Sequence, residues 1–225
     1  MELNLVGEVL DGLTQRARTF VGSHGVRAAV PDVEQYRTRW LELGIPEAEI
    51  DRAAGFQRRW GGLVLPPASE YEGGPLYFAV DTPDDLPAKT PDGATVHGWW
   101  FEAGPQRSAV PYMYMIGPSG EFGIRARRWV PLHASVEGWI ESLALACHAT
   151  MWATQITKVA GEMVDGLDLE SLEPVAEVQG LTNTWWRSAD SLVAVYGGES
   201  ECAGAATFRT AWVYSGLDDW HLRHG

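Results

Sequence analysis

The sequence predicts an α+β fold, a compact and mostly antiparallel sheet flanked by helices. Apolar residues recur at helical spacing through the first third of the chain, and short aromatic or β-branched runs cut by Pro and Gly follow. The hydrophobic fraction of 45% is ample for a core in a chain of 225 residues.

The elements are expected in this order. Leu3, Val6, Leu10, Leu13, Ala17 and Phe20 fall on one helical face, and Gly22-Ser23-His24-Gly25 supplies a break. A second helix opens at Pro31-Asp32, runs through Val33, Tyr36 and Trp40, and stops at Gly44. Pro46 opens a third, with Glu47 and Glu49 in its first turn and Ile50, Ala53, Phe56 and Trp60 facing inward. Gly61-Gly62 ends it, and Leu63-Val64-Leu65 is extended. Strands are then expected over Leu76–Val80, Thr95–Phe101, Pro111–Ile116, Phe122–Ile124 and Trp129–Leu132, with a turn at Gly117-Pro118-Ser119-Gly120. Ser135 caps a long helix, with Val136, Trp139, Ile140, Leu143, Ala144, Cys147 and Met151 on one face, continuing to about Val164. An acidic loop from Asp165 leads to strands near Ser191–Tyr196 and Thr207–Tyr214, separated by a loop from Gly197-Gly198 to Gly204. This divides the chain into an N-terminal helix (1–29), an α+β core (30–164) and a C-terminal extension (165–225) whose β-hairpin packs on the core.

The formal net charge of -13 argues against nucleic acid and anionic membranes, since added carboxylates repel phosphate. An acidic face would instead steer a basic partner. No run of about 18 apolar residues is present, and the N-terminus lacks the basic and apolar regions of a signal peptide. Two distant cysteines, Cys147 and Cys202, do not make a disulfide framework, so the cytoplasm is the expected compartment. Cys147, in an apolar helical stretch, is expected to be a buried thiol.

Motifs for nucleotide, nucleophile or zinc chemistry are missing: no G-x-x-x-x-G-K-[ST], no G-x-G-x-x-G, no G-x-S-x-G and no H-E-x-x-H. His221 and His224 read as part of a frayed tail, and Asp84-Asp85 and Asp218-Asp219 lack the spacing of a cation loop. Glu137 and Glu141, four apart, read as a solvated helix face, and Arg125-Ala126-Arg127-Arg128 as a basic island paired with local carboxylates. No metal and no cofactor is expected. The eleven tryptophans include the pairs Trp99-Trp100 and Trp185-Trp186, each of which should place one ring inside and one outside a strand.

The stretch DVEQYRTRWLELGIPEAEIDRAAGFQRRWGGLVLPPA, from Asp32 to Ala68, resembles the opening of the SUKH superfamily, in particular its bacterial immunity-protein branch. The shared features are Gly44-Ile45-Pro46 between two helices, then Phe56, Trp60 and Gly61-Gly62 before a sheet. The hairpin from Tyr112 through Gly117-Pro118-Ser119-Gly120 to Ile124, and Trp129–Ser135 with its following helix, resemble the later part of that domain. The likeness covers about residues 30 to 150; Ser69–Gly93 and the tail from Asp165 depart from it. It implies a SUKH-like core and a protein that binds and neutralises a cognate toxin, basic and nuclease-like, without doing chemistry itself. Trp60, Gly61 and Gly62 would be structural.

The expectation is thus a binding protein and not an enzyme. Its partner surface is expected at Glu70, Glu72, Asp84, Asp85 and Asp92, with Trp99 or Trp100 as an aromatic anchor. The alternative is a small-molecule binding or modifying protein whose pocket the tryptophans line. A scaffold or regulatory module is a third option.

Overall fold

Caps and glycines set most element boundaries in the computed structural model, which describes residues 3–5, 11–69 and 73–223. Strand β1 spans Leu3–Leu5, so the helix expected from Leu3 to Phe20 does not form as one piece. Val6 and Leu10 lie outside the described residues. Gly12 turns the chain at φ +84°, Thr14 accepts the Ala17 N–H, and helix α1 runs over Gln15–His24, ending at Gly25. Strand β2 (Val26–Ala28) pairs antiparallel with β1 and with β3 (Leu63–Val64).

Between β2 and β3 lie a 3₁₀ turn at Val33–Tyr36, helix α2 (Arg37–Glu42) and helix α3 (Glu47–Trp60), in the expected places. Ile50, Ala53 and Trp60 are buried, and Phe56 meets Phe101 and Phe78 edge-on at 5.2 and 5.9 Å. Gly62 sits at φ +75°, and a Cβ there would lie 2.1 Å from the Ala28 carbonyl oxygen, so only glycine lets α3 exit against β2.

The stretch Leu76–Val80 forms no ladder. Phe78 instead exchanges backbone hydrogen bonds with Gly62 and Leu63, and the Ala79 N–H donates to the Ala103 carbonyl. Strands β4 (Ala88–Lys89) and β5 (Thr95–Val96) make a small hairpin. The strand expected over Thr95–Phe101 breaks after Val96 because Gly98 turns at φ +134°, where a Cβ would strike Pro118 at 2.6 Å. Strands β6 (Phe101–Gly104), β7 (Met113–Ile116), β8 (Phe122–Arg125) and β9 (Trp129–His133) then form an antiparallel meander. Gly117–Gly120 is the turn between β7 and β8, closed by the Gly117 N–H on the Glu121 carbonyl at 2.8 Å.

Ser135 accepts the Gly138 N–H and starts helix α4 (Val136–Trp152). The helix does not reach Val164. Gln155–Ala160, which holds Ile156, Thr157 and Val159, is strand β10. Strands β11 (Glu173–Pro174), β12 (Asn183–Arg187) and β13 (Ser191–Tyr196) follow, then short helix α5 (Gly198–Ala203), strand β14 (Thr210–Ser215) and helix α6 (Asp219–Arg223). The expected pairing of Ser191–Tyr196 with the last strand is present, but α5 occupies the connecting loop. The sheet order is β10-β14-β13-β12-β11, so the last strand made lies beside both β10 and β13. The chain is an α+β protein whose described strand pairings are all antiparallel.

Helix α4 is apolar nearly all round because it touches both larger sheets. Trp139 packs on Phe78 and Phe122 at 5.5 and 5.1 Å, while the Ser142 hydroxyl accepts the Trp185 indole N–H from β12 at 2.8 Å. Cys147 is half-buried against the edge of the core, whereas Met151 is exposed. Glu141 corrects the expectation of a solvated face. It is 2% exposed and accepts the Thr14 N–H at 2.6 Å, the Thr14 hydroxyl at 2.7 Å and an Arg16 N–H at 3.5 Å. Glu137 pairs with Arg59 at 2.7 Å. His133 is buried as a neutral ring against the Val178 carbonyl at 2.9 Å, its pKa pushed down to about 4 by desolvation.

Candidate functional site

The loop from Asp81 to Pro87 is stitched to the start of β6. The Asp84 N–H donates to the Trp100 carbonyl at 2.9 Å, and the Trp100 N–H returns to the Asp84 carbonyl at 2.8 Å. In β6, Phe101 and Ala103 point into the core, so alternation turns Glu102 outward toward this loop. Half-burial raises the Glu102 carboxyl above its ordinary range, and the charges of Asp81 and Asp84 raise it further. Glu102 makes no ion pair among the described residues.

Arg125 is the cation paired with Asp84 in this cluster. It reaches Asp84 at 3.4 Å, donates to the Leu86 carbonyl at 2.9 Å and lies 5.0 Å from the centre of the Trp100 ring. Arg127 and Arg128 make no ion pair among the described residues, so only Arg125 of the basic island pairs with a local carboxylate. Asp81 also borders a cavity of about 360 Å³ walled by Tyr36, Trp40, Arg39, Val80 and Thr82. The Tyr36 and Trp40 rings stack there at 5.9 Å.

The residues expected at the partner surface scatter over distinct roles. Glu70 and Glu72 lie outside the described residues. Asp84 is half-buried and shared with Arg125, whereas Asp85 is exposed. Asp92 closes the β4–β5 turn by accepting the Thr90 hydroxyl and the Ala94 N–H, and the Thr90 contact holds its carboxyl below the usual range. Trp100 is corrected as an anchor: it is 0% exposed and packs edge-on to Trp129 at 4.9 Å in a small core with Ala88 and Met115. Trp99 is half-buried against the main core, and its carbonyl accepts an Arg52 N–H from α3 at 2.7 Å. Each tryptophan pair has one fully buried ring, Trp100 and Trp185, beside a half-buried one.

Asp81 and Glu102 belong with Asp84 and were missed. Glu102 is legible in hindsight from two-residue alternation in Phe101–Gly104, but the fold alone brings Asp81 to it. Among the described residues no group of three His, Cys, Asp or Glu side chains is placed to hold a metal ion, and no helix is long and apolar enough to cross a membrane. His221 is not frayed: it bonds Asp218 at 2.6 Å and stacks on Trp152 at 4.5 Å, while His224 lies outside the described residues. Burial raises the Cys202 thiol above its usual range, which keeps it protonated. No family model, curated protein or solved structure matches the chain.

Proposed function

We propose that this protein is a non-catalytic, SUKH-like immunity protein that binds a basic, nuclease-like toxin through the face around Glu102. One observation carries the reading. Glu102 is a half-desolvated carboxylate beside Asp81 and Asp84, without a cation of its own among the described residues. Clustering like charges costs free energy in the free protein, and a Lys or Arg from a partner removes that cost on binding. The stacked Tyr36 and Trp40 rings next to Asp81 suit the aliphatic stem and charge of such a side chain. The net charge of -13 adds long-range steering toward a basic surface.

The test is capture from cells that encode the protein, then titration calorimetry of the captured partner at low and high salt. A basic protein is expected, with affinity that falls steeply with salt and drops by about tenfold or more in the triple variant Asp81→Asn, Asp84→Asn, Glu102→Gln. An affinity unchanged by the triple variant and by salt would refute this face. The alternative, a small-molecule protein, has its own support in a separate cleft, but Tyr112 and Phe208 are its aromatic walls, not tryptophans.

A further inference from the structure

Two cavities of about 420 and 250 Å³ share Val110, Tyr112, Glu199 and Phe208, and so form one two-lobed cleft between the β7 end of the meander and the last sheet. The larger lobe is mostly apolar, walled by Val110, Pro111, Cys202, Ala203 and Phe208, with Arg127 beside it. The smaller lobe is polar and presents both signs of charge, Lys158 and Glu199. A pocket of this size with an apolar body and a few fixed polar groups is the usual form of a small-molecule site.

Its polar groups are built into the fold. Asn183 is 3% exposed, and its Oδ1 accepts the Gly197 and Gly198 N–H groups, both at 3.0 Å. That fixes the amide, leaving Nδ2 on the smaller lobe with no partner among the described residues. Glu199 accepts the Tyr112 hydroxyl through Oε1, which leaves Oε2 open to a donor. Burial, Tyr114 and Glu199 hold that phenol protonated, so it fixes the carboxylate without competing for its charge. Lys158 makes no ion pair among the described residues and rests over the Trp212 ring at 5.4 Å.

One carboxylate, one ammonium and one amide donor beside an apolar lobe complement a zwitterion with an apolar side chain. We propose that the cleft binds a free apolar α-amino acid, its ammonium on Glu199, its carboxylate between Asn183 Nδ2 and Lys158, and its side chain in the larger lobe. The cleft shares no residue with the Asp81–Asp84–Glu102 cluster and does not depend on a toxin binding there.

Titration calorimetry of the full chain with L-phenylalanine, phenethylamine and 3-phenylpropionate tests this directly. L-Phenylalanine is expected to bind with a Kd of about 0.1–1 mM, and each single-charge analogue at least about tenfold more weakly. Glu199→Gln keeps an acceptor for Tyr112, and is expected to weaken the two ammonium compounds about tenfold while sparing phenylpropionate. Lys158→Gln, on an exposed strand position, should do the converse. Ala203→Trp, at an exposed edge of the larger lobe, should abolish binding of all three. The proposal is overturned if cooperatively folded protein shows no saturable heat with L-phenylalanine up to about 10 mM. Equal affinity for the three probes, or binding unaffected by these variants, also overturns it.

Discussion

Glu141→Gln is the most informative single change in the core. The carboxylate receives three donors from the start of α1, and Arg16, which brings one of them, has a side chain only 7% exposed. A glutamine keeps the shape but turns an NH₂ group toward one of the Thr14 donors, and it leaves the Arg16 charge without its counter-ion. Burial already lowers the Arg16 pKa against the pull of Glu141, so solvent does little to screen the loss. Breaking a buried charged pair on one side costs about 3–5 kcal/mol, which for a chain of this size lowers Tm by roughly 6–20 °C. The double change Arg16→Met, Glu141→Met removes both charges and is expected to recover more than half of that loss. Urea unfolding of the wild type and the single and double variants, followed by tryptophan fluorescence, supplies the comparison. A single-variant loss under about 1 kcal/mol would mean that Glu141 is solvated and that α1 is held to α4 by apolar contact alone.

Two further outcomes follow from buried groups. His133 is neutral in the fold down to about pH 4 but titrates near 6.5 when unfolded, so the unfolded chain binds the extra proton between those values. Stability is therefore whole above pH 6.5, falls as the pH drops toward 4, and is about 2 kcal/mol lower at pH 5 from this residue alone. Urea midpoints at pH 7 and pH 5 should show that loss in the wild type and not in His133→Gln. For Trp100, truncation to Ala should cost about 3–5 kcal/mol. Trp100→Phe should cost under about 1.5 kcal/mol, because the indole N–H it discards is buried without a partner among the described residues. Chemical denaturation of both variants checks this, and a severe loss in the Phe variant would show that the N–H is bonded.

Local chemistry made several elements readable. Pro46 and Gly62 bracket α3, Ser135 caps α4, and the β-branched run Ser191–Tyr196 is a strand as it stands. The reading failed where a pattern ran across a boundary. Apolar spacing from Leu3 to Phe20 looks helical throughout, yet Asp11-Gly12 is a turn and the helix begins only after its cap, Thr14. At the other end of α4, Ile156, Thr157 and Val159 carried a strand signal that the helical extension overrode. Nothing near Glu141 in sequence announces its burial, because its partners lie 127 and 125 residues away. The site divides the same way: Asp84 and Asp85 stand out as a pair of acids, whereas Glu102 and Asp81 meet only through the Asp84–Trp100 backbone bridge.

The place of β14 has a bearing on how the protein is made. A ribosome releases β10 and β13 well before Thr210–Ser215, yet both wait for that segment to fill the slot between them. Until then each presents an unpaired edge, the form of nascent chain most exposed to aberrant pairing with a neighbour. Completion of this half of the molecule consequently waits until Thr210–Ser215 has been made. A chain that stops before Thr210 lacks an interior strand, and such a species is a target for chaperones and proteases.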